Sequence, residues 1–324
     1  MNNIYTIVII GGGNIGSRHA QSLALLTVPT NLVVIDANQQ SLDVCKSRLE
    51  GLAMDWNKVS VSYFTSIEAL PAKVDLAIIA TGSSSRLNLM QSLFARCECR
   101  CLILEKFLFS SLHEYELASA LIEQQKNTLV YVNCMKRVFE AYQWVLKKLN
   151  AAEGELNMVV SGKNWGLAGN SVHYMDLFGL GTGKNIRHCE IANSPDSKII
   201  ESKRLDYIEV IGKCTVLTDG NDRLEMTSSE GEDSPVQISF KKNDLHLTVI
   251  ETGDKIEIEY QNEKVIFNYP FQSQLTITYF NELIHTGKIP LPGFMESSVQ
   301  HQAFLKAMEE FVKQKKYDKT WKIT

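Results

Sequence analysis

An apolar strand that ends in spaced glycines constrains this chain more than any other feature. Ile7-Val8-Ile9-Ile10 runs into Gly11-Gly12-Gly13-Asn14-Ile15-Gly16, and a second apolar run, Leu32-Val33-Val34-Ile35, ends on Asp36, 20 residues after Gly16. In a dinucleotide site Gly11 permits a tight turn and Gly13 lets the backbone approach a pyrophosphate. Gly16 then lets the following helix pack close to the strand. The helix start at Asn14 and Ile15 offers unsatisfied N–H groups and a positive dipole end to phosphate oxygens. Asp36 suits the hydroxyls of an adenine-side ribose, and Ala37 and Asn38 supply no cation for a 2′-phosphate, so NAD is preferred over NADP. The competing reading, glycines that serve packing alone, gives Asp36 no reason to stand where it does.

Around this motif the first part of the chain alternates two periodicities. Strands are expected at 5–10, 31–35, 59–64, 75–80, 101–105 and 129–133, and helices at 14–26, 39–50, 86–95 and 112–125. Such alternation predicts a doubly wound parallel sheet of the Rossmann type over residues 1–132, an α/β domain with helices on both faces. Thr81 and Gly82 follow the fourth strand and fall at the sheet's C-terminal edge, where ligands bind. A long amphipathic helix is expected over 137–150. Beyond it, strand-like runs at 156–162, 198–211, 213–217, 236–240, 245–251, 255–260 and 264–269 precede helical patterns at 272–285 and 295–315. Residues 133–324 therefore read as an α+β domain on a large, mostly antiparallel open sheet. With helices on one face only, the other face is available for a homodimer or homotetramer.

Composition narrows the partners. A formal charge of −4 and the lack of any dense basic block give no electrostatic basis for nucleic-acid binding. No apolar run approaches the ~18 residues of a membrane span, and the immediate entry into a strand leaves no room for a signal peptide. Cys97-Glu98-Cys99-Arg100-Cys101 alternates like one face of a buried strand rather than a metal site. Reduced thiols and no export signal point to the cytoplasm, and no metal is expected.

Two further segments carry chemistry. Glu105-Lys106-Phe107 closes the fifth strand, where a nicotinamide ring would lie; a lysine there either exchanges a proton with a substrate hydroxyl or simply points to water. Asn164-Trp165-Gly166-Leu167-Ala168-Gly169-Asn170-Ser171-Val172-His173-Tyr174-Met175-Asp176 is a polar, glycine-rich loop leading into a helix. His173 suits general acid–base work near neutral pH, and Asp176 at i+3 shares its helix face and could orient it or contact substrate. The alternative is a histidine that packs against the sheet. Arg137 is either a bidentate clamp for a substrate phosphate or carboxylate, or an ordinary helix-start charge. Trp165 is either a stacking wall for a sugar or nucleobase, or a buried aromatic.

Taken together these segments resemble the Gfo/Idh/MocA family, the glucose–fructose oxidoreductase and inositol dehydrogenase group. The resemblance rests on Gly11 to His19, on Glu105-Lys106, on the stretch from Asn133 to Tyr142, on His173-Tyr174-Met175-Asp176, and on Gly287-Lys288-Ile289-Pro290 before the terminal helix. It implies an NAD-dependent dehydrogenase or reductase acting on a sugar or nucleotide-sugar hydroxyl or ketone, with Lys106 and His173 as catalytic residues. The cofactor residues are then Gly11, Gly13, Asn14, Ile15, Gly16, Asp36, Thr81, Gly82 and Glu105. Lys106, Arg137, Trp165, Asn170, His173 and Asp176 are the candidates for substrate contacts. Three departures stand out. Phe107 replaces the proline of the family's Glu-Lys-Pro; the usual aspartate four residues before the histidine is Gly169, with Asn170 beside it; and a frequent histidine after the fourth strand gives way to Ser85-Arg86. The second departure leaves room for a non-catalytic, cofactor-bound sensor or regulator of the same fold.

Overall fold

The computed structural model describes residues 4–202 and 206–323. They form two compact units. The first comprises the chain as far as Phe109, His113–Asn133 and Pro270–Met295; the second comprises Ser110–Leu112, Cys134–Tyr269 and the residues from Glu296 on.

Eight strands build the first unit: β1 (Tyr5–Ile10), β2 (Thr30–Ile35), β3 (Val59–Phe64), β4 (Lys73–Val74), β5 (Leu76–Ile79), β6 (Glu98–Cys99), β7 (Cys101–Leu104) and β8 (Leu129–Val132). Six make one parallel sheet in the order β3-β2-β1-β5-β7-β8, while β4 and β6 pair separately. Between strands run α1 (Asn14–Leu23), α2 (Gln39–Glu50), α3 (Ser83–Arg96) and α4 (Leu112–Glu123). Helices on both faces leave β1, β5 and β7 no solvent side, which is why Ile7, Val8, Ile9, Ile78 and Ile103 are fully buried and these strands read as unbroken apolar runs. The strand order reverses between β1 and β5, so the glycine turn after β1 and Thr81-Gly82 after β5 flank a topological switch point. The three neighbouring cysteines are not one strand: Cys97 ends α3, Cys99 lies in β6 and Cys101 in β7. All are buried, and burial pushes the Cys99 thiol up to about 12.

Nine strands form the second sheet: β9 (Leu156–Lys163), β10 (Ile186–Ile191), β11 (Lys198–Glu201), β12 (Ile208–Thr218), β13 (Arg223–Ser229), β14 (Val236–Lys242), β15 (Leu245–Glu251), β16 (Lys255–Tyr260) and β17 (Glu263–Asn268). Their order is β10-β12-β13-β9-β14-β15-β16-β17, with β11 on β12; only β13 and β9 run parallel. The sheet is thus the mostly antiparallel one expected, with local corrections. The run 198–211 is a hairpin of β11 and the start of β12, its residues 203–205 lying outside the described residues. Strand β12 does not stop at Gly212, whose φ of +145° lets it continue past Ser197, 2.9 Å from where a Cβ would sit. Strands β10 and β13 escaped the sequence reading: β10 is a mostly exposed edge, and the inward face of β13 mixes Leu224 and Met226 with Ser228.

Helices α5 (Glu140–Asn150), α6 (Leu167–Thr182) and α8 (Phe294–Gln314) follow in chain order around α7 (Gln272–Thr286). The single helix expected over 137–150 is broken. Met135–Val138 is a 3₁₀ turn, and Phe139 is extended (φ −69°, ψ 131°) so that its buried ring packs on Tyr269 at 5.3 Å. Gln143 fastens the break by donating to the Arg137 carbonyl.

A closed ring of buried hydrogen bonds ties α7 into the first unit. His19 of α1 meets Glu105 Oε1 through Nε2 at 2.9 Å and Thr276 Oγ1 through Nδ1 at 2.8 Å. Asn133 Nδ2 donates to Glu105 Oε1 at 2.6 Å and to Gln272 Oε1 at 2.8 Å, and Gln272 Nε2 donates to Thr276 Oγ1 at 2.9 Å. With its proton on Nε2, His19 completes a circuit in which Thr276 donates to Nδ1. Burial works against the Glu105 charge, but the bonds from His19 and Asn133 outweigh it and hold the carboxyl below its ordinary value of 4.5. The stability this carboxylate contributes is therefore full above pH ~4.5 and lost as pH falls through its folded-state value. Removing one member of such a buried pair costs about 3–5 kcal/mol. His19→Ala should lose that much in urea unfolding at pH 7, and the loss should shrink as the pH falls through the folded-state value of Glu105 and the carboxyl is protonated.

Candidate functional site

The glycine turn has the shape its sequence requires. Gly11 has a φ of +100°, and a Cβ there would lie 2.9 Å from Thr81 Cγ2; a Cβ on Gly16 would fall 1.7 Å from the Gly11 carbonyl oxygen. Only glycine fits at either position. Gly13, the N-cap of α1, has no atom within 4 Å of its would-be Cβ, so open space lies over the backbone where a phosphate would approach. Asn14 and Ile15 are exposed at the helix start, and the Asn14 carbonyl and side-chain oxygens each accept from Arg48 at 3.2 Å. Asp36 is held against this turn. Its Oδ2 accepts from the Gly12 N–H at 2.7 Å and its Oδ1 from the Asn38 N–H at 2.8 Å. Each carboxylate oxygen retains acceptor capacity for a hydroxyl. These features fit a dinucleotide.

Across the switch point, Thr81 and Gly82 lead into α3, and Arg86 on that helix is almost fully buried. Its guanidinium donates to the carbonyls of Thr81, Phe107 and Leu108, the last at 2.6 Å. The half-buried Lys106 thus sits between two anchors: Glu105 in the hydrogen-bonded ring and the Arg86-bound carbonyls that follow. The Lys106–Phe107 peptide is cis. Sequence reasoning assigned no task to Arg86, His19, Gln272 or Thr276. The available signal was a histidine and an arginine on the apolar faces of α1 and α3. Asn133 Oδ1 is buried with no donor among the described residues.

In the second unit, β9 passes into α6 through two left-handed residues, Asn164 (φ 51°) and Gly166 (φ 75°). Trp165 is fixed from both sides: its Nε1 donates to the Thr227 carbonyl at 2.8 Å, and its ring meets Tyr174 edge-on at 5.4 Å. It lines a cavity of about 560 Å³ with Asn164, Asp233, Glu251 and Tyr269. Asn170 Nδ2 donates to the Trp165 carbonyl at 2.8 Å, so this amide closes the loop. His173 is buried in the second turn of α6, 6 % exposed.

Arg137 and Asp176 are spent on each other. Arg137 Nε donates to Asp176 Oδ2 at 2.8 Å, its Nη2 to the other carboxylate oxygen, and Nη2 also reaches Glu296 Oε1 at 2.7 Å. Arg137 thus braces the 3₁₀ turn to α6 and α8, with Asp176 as its partner on α6. Burial pushes Asp176 up to about 6 against the pull of Arg137. Beside it, Lys136 pairs with Glu251, which also accepts from Tyr142 and Tyr174. Four rings, those of Phe139, Tyr142, Tyr174 and Tyr269, lie 5.0–5.9 Å from the Lys136 ammonium. This buried cluster had no sequence signal, because its members come from five separate elements and segments.

No helix among the described residues is long and apolar enough to cross a membrane. A comparison with curated proteins finds no significant sequence match. Residues 5–134 match the family model GFO_IDH_MocA, described as an oxidoreductase family with an NAD-binding Rossmann fold. Among solved structures, UDP-N-acetylglucosamine 3-dehydrogenase GnnA from Acidithiobacillus ferrooxidans is 16% identical, with a TM-score of 0.68 over 96% of this chain and 97% of that one. Scyllo-inositol dehydrogenase from Lactobacillus casei, solved with NAD(H) and scyllo-inositol, is 15% identical with a TM-score of 0.67 over 97% and 98%. A super-repressor mutant of Gal80p from Saccharomyces cerevisiae is 11% identical with a TM-score of 0.70 over 96% and 97%. At these identities the likeness is one of fold, and it spans dehydrogenases and a regulator alike. Residues 5–134 are thus similar to the NAD-binding Rossmann domain of the Gfo/Idh/MocA oxidoreductase family.

Proposed function

We propose that this protein is a cytoplasmic, NAD-dependent oxidoreductase that moves a hydride between nicotinamide and a hydroxyl-bearing or keto carbon of a sugar or nucleotide sugar. The observation that carries the proposal is the first unit's C-terminal sheet edge, where a glycine turn shaped for phosphates and a doubly anchored lysine share one switch point. When bound, the cofactor supplies the hydride acceptor or donor. Gly11, Gly13, Gly16 and the start of α1 would hold its phosphates, and Asp36 its ribose. Lys106 would donate to the substrate oxygen and stabilise the charge that gathers there. His173 would take the hydroxyl proton on oxidation and return it on reduction. Trp165, beside a cavity, would wall a ring of the substrate. Arg137, Asp176 and Asn170 would act by fixing the loop and helix that carry Trp165 and His173.

Sugar-acting neighbours such as GnnA and scyllo-inositol dehydrogenase support the substrate class and suggest the first probes. We further infer a homodimer or homotetramer through the outer face of the second sheet, where Asn157 and Ser161 are exposed and Val159 is 40 % exposed beside the buried Met158 and Val160. One feature favours a second reading, a cofactor-bound sensor: Gly169 leaves α6 without a carboxylate one turn before His173. A structural neighbour, the transcriptional regulator Gal80p, fits that reading.

Turnover separates the two. With NAD and a panel of UDP-N-acetylglucosamine, scyllo-inositol and simple hexoses, the oxidoreductase should form NADH. Lys106→Ala and His173→Ala should each lower kcat by about 10²–10⁴-fold while NADH binding is retained. Binding of NAD with no turnover of any probe would favour the sensor.

Cofactor choice gives a separate check. The native protein should bind NADH at least about tenfold more tightly than NADPH, because a 2′-phosphate beside Asp36 meets like charge. Asp36→Ala should narrow that ratio in fluorescence titrations; an unchanged ratio would remove Asp36 from the ribose site.

A further inference from the structure

The carboxylate missing at Gly169 is replaced from outside the helix. Helix α6 begins at Gly166, which has no side chain to cap it, so its first N–H groups need an acceptor from elsewhere. Glu209, on β12, supplies one: its Oε2 accepts from the Ala168 N–H at 2.8 Å and its Oε1 from the Gly169 N–H at 3.2 Å. A negative charge at this end of a helix is favoured by the macrodipole. Gly169 is one turn before His173, roughly 6 Å along the axis, and helical side chains lean toward the N-terminus, so the His173 ring is carried toward the end that Glu209 occupies.

Among the described residues, other charged groups beside α6 form ion pairs. Lys136 from the 3₁₀ turn pairs with Glu251 of β15, and Arg137 pairs with Asp176 of α6 and Glu296 of α8. Glu209 binds the helix end itself. We propose that Glu209 is the positioning residue for His173: it anchors the N-terminus of α6 and supplies, through space, the negative charge that makes the imidazole a stronger base. The proposal rests on the acid–base role given to His173 above. It also explains how a chain with glycine at 169 remains an enzyme.

The test uses the full chain with NAD bound. Histidine NMR, with the His173 signal assigned from His173→Ala, follows its titration in the native protein and three variants. Glu209→Gln keeps an acceptor but removes the charge and should lower the His173 midpoint by about one pH unit. Gly169→Asp in the native chain should raise the midpoint, and Glu209→Gln combined with Gly169→Asp should bring it back toward the native value. On a substrate from the panel, Glu209→Gln should lower kcat at least tenfold with KM and the NADH Kd within twofold, and the double variant should recover most of that loss. A His173 midpoint that moves in neither folded Glu209→Gln nor Gly169→Asp overturns the proposal. If instead His173→Ala retains turnover, the catalytic reading of His173 fails, while the titration still decides whether Glu209 sets its charge.

Discussion

Glu105 is a carboxylate placed where solvation cannot reach it, and the first unit is arranged around keeping it charged. Two donors, from His19 and Asn133, offset its desolvation. Those donors are themselves fixed by Gln272 and Thr276 of α7, a helix that follows the second sheet in sequence but packs in the first unit. A half-satisfied ring would cost more than an apolar core, so the four segments that meet here are held to one arrangement. Lys106 inherits that precision, because it is the next residue along the strand end. Arg86 adds a second restraint by gripping the carbonyls of Phe107 and Leu108, which leaves the lysine stem little backbone freedom despite the proline-free Glu-Lys-Phe sequence.

The glycine turn shows the opposite economy, with atoms left out rather than added. Gly16 is excluded from bearing a side chain by a backbone oxygen, and Gly11 by both its φ and the Thr81 methyl. Gly13 has no atom within 4 Å of its would-be Cβ, so the backbone at the N-cap of α1 stays open to approach from outside. Asp36 reaches the same turn by bonding the Gly12 N–H, so the acid that would select the ribose also stiffens the loop that would hold the phosphates.

This part of the molecule was legible in the sequence because its signals are local. Strand, turn, helix and acid all lie within 36 residues, and strands buried on both faces announce themselves as apolar runs. Legibility fell where the determining partner is remote. Arg137 looked available as a ligand clamp because Asp176 lies 39 positions away and Glu296 159. His19 could not be given a task without Thr276, 257 positions on. Strands β10 and β13 were missed for another reason. An exposed edge strand and one whose inward face includes a serine do not alternate strongly enough to be seen. The helix drawn through Phe139 failed because helical periodicity is blind to a single extended residue that buries a ring.

Helix α6 joins these themes. Its interior holds Gly169, Gly179 and Gly181, each costing a helix roughly 1 kcal/mol relative to alanine. In return a Cβ on Gly181 would crowd Leu156 and Leu149 at 3.0 and 3.3 Å, and one on Gly179 would sit 3.0 Å from Gln300 Nε2, so the glycines let the helix press close to its neighbours. Such a helix has little propensity of its own, and its place is set by what it touches. The C-terminal half is set by close packing. The N-terminal half is set by polar contacts: Glu209 on the first N–H groups, Asn170 on the loop, Tyr174 on Glu251 and Asp176 on Arg137. His173 lies among those contacts. Its sequence neighbours supply neither a carboxylate one turn back nor strong helix formation, so the place of this part of the helix is set by contacts from β12, β15 and the 3₁₀ turn.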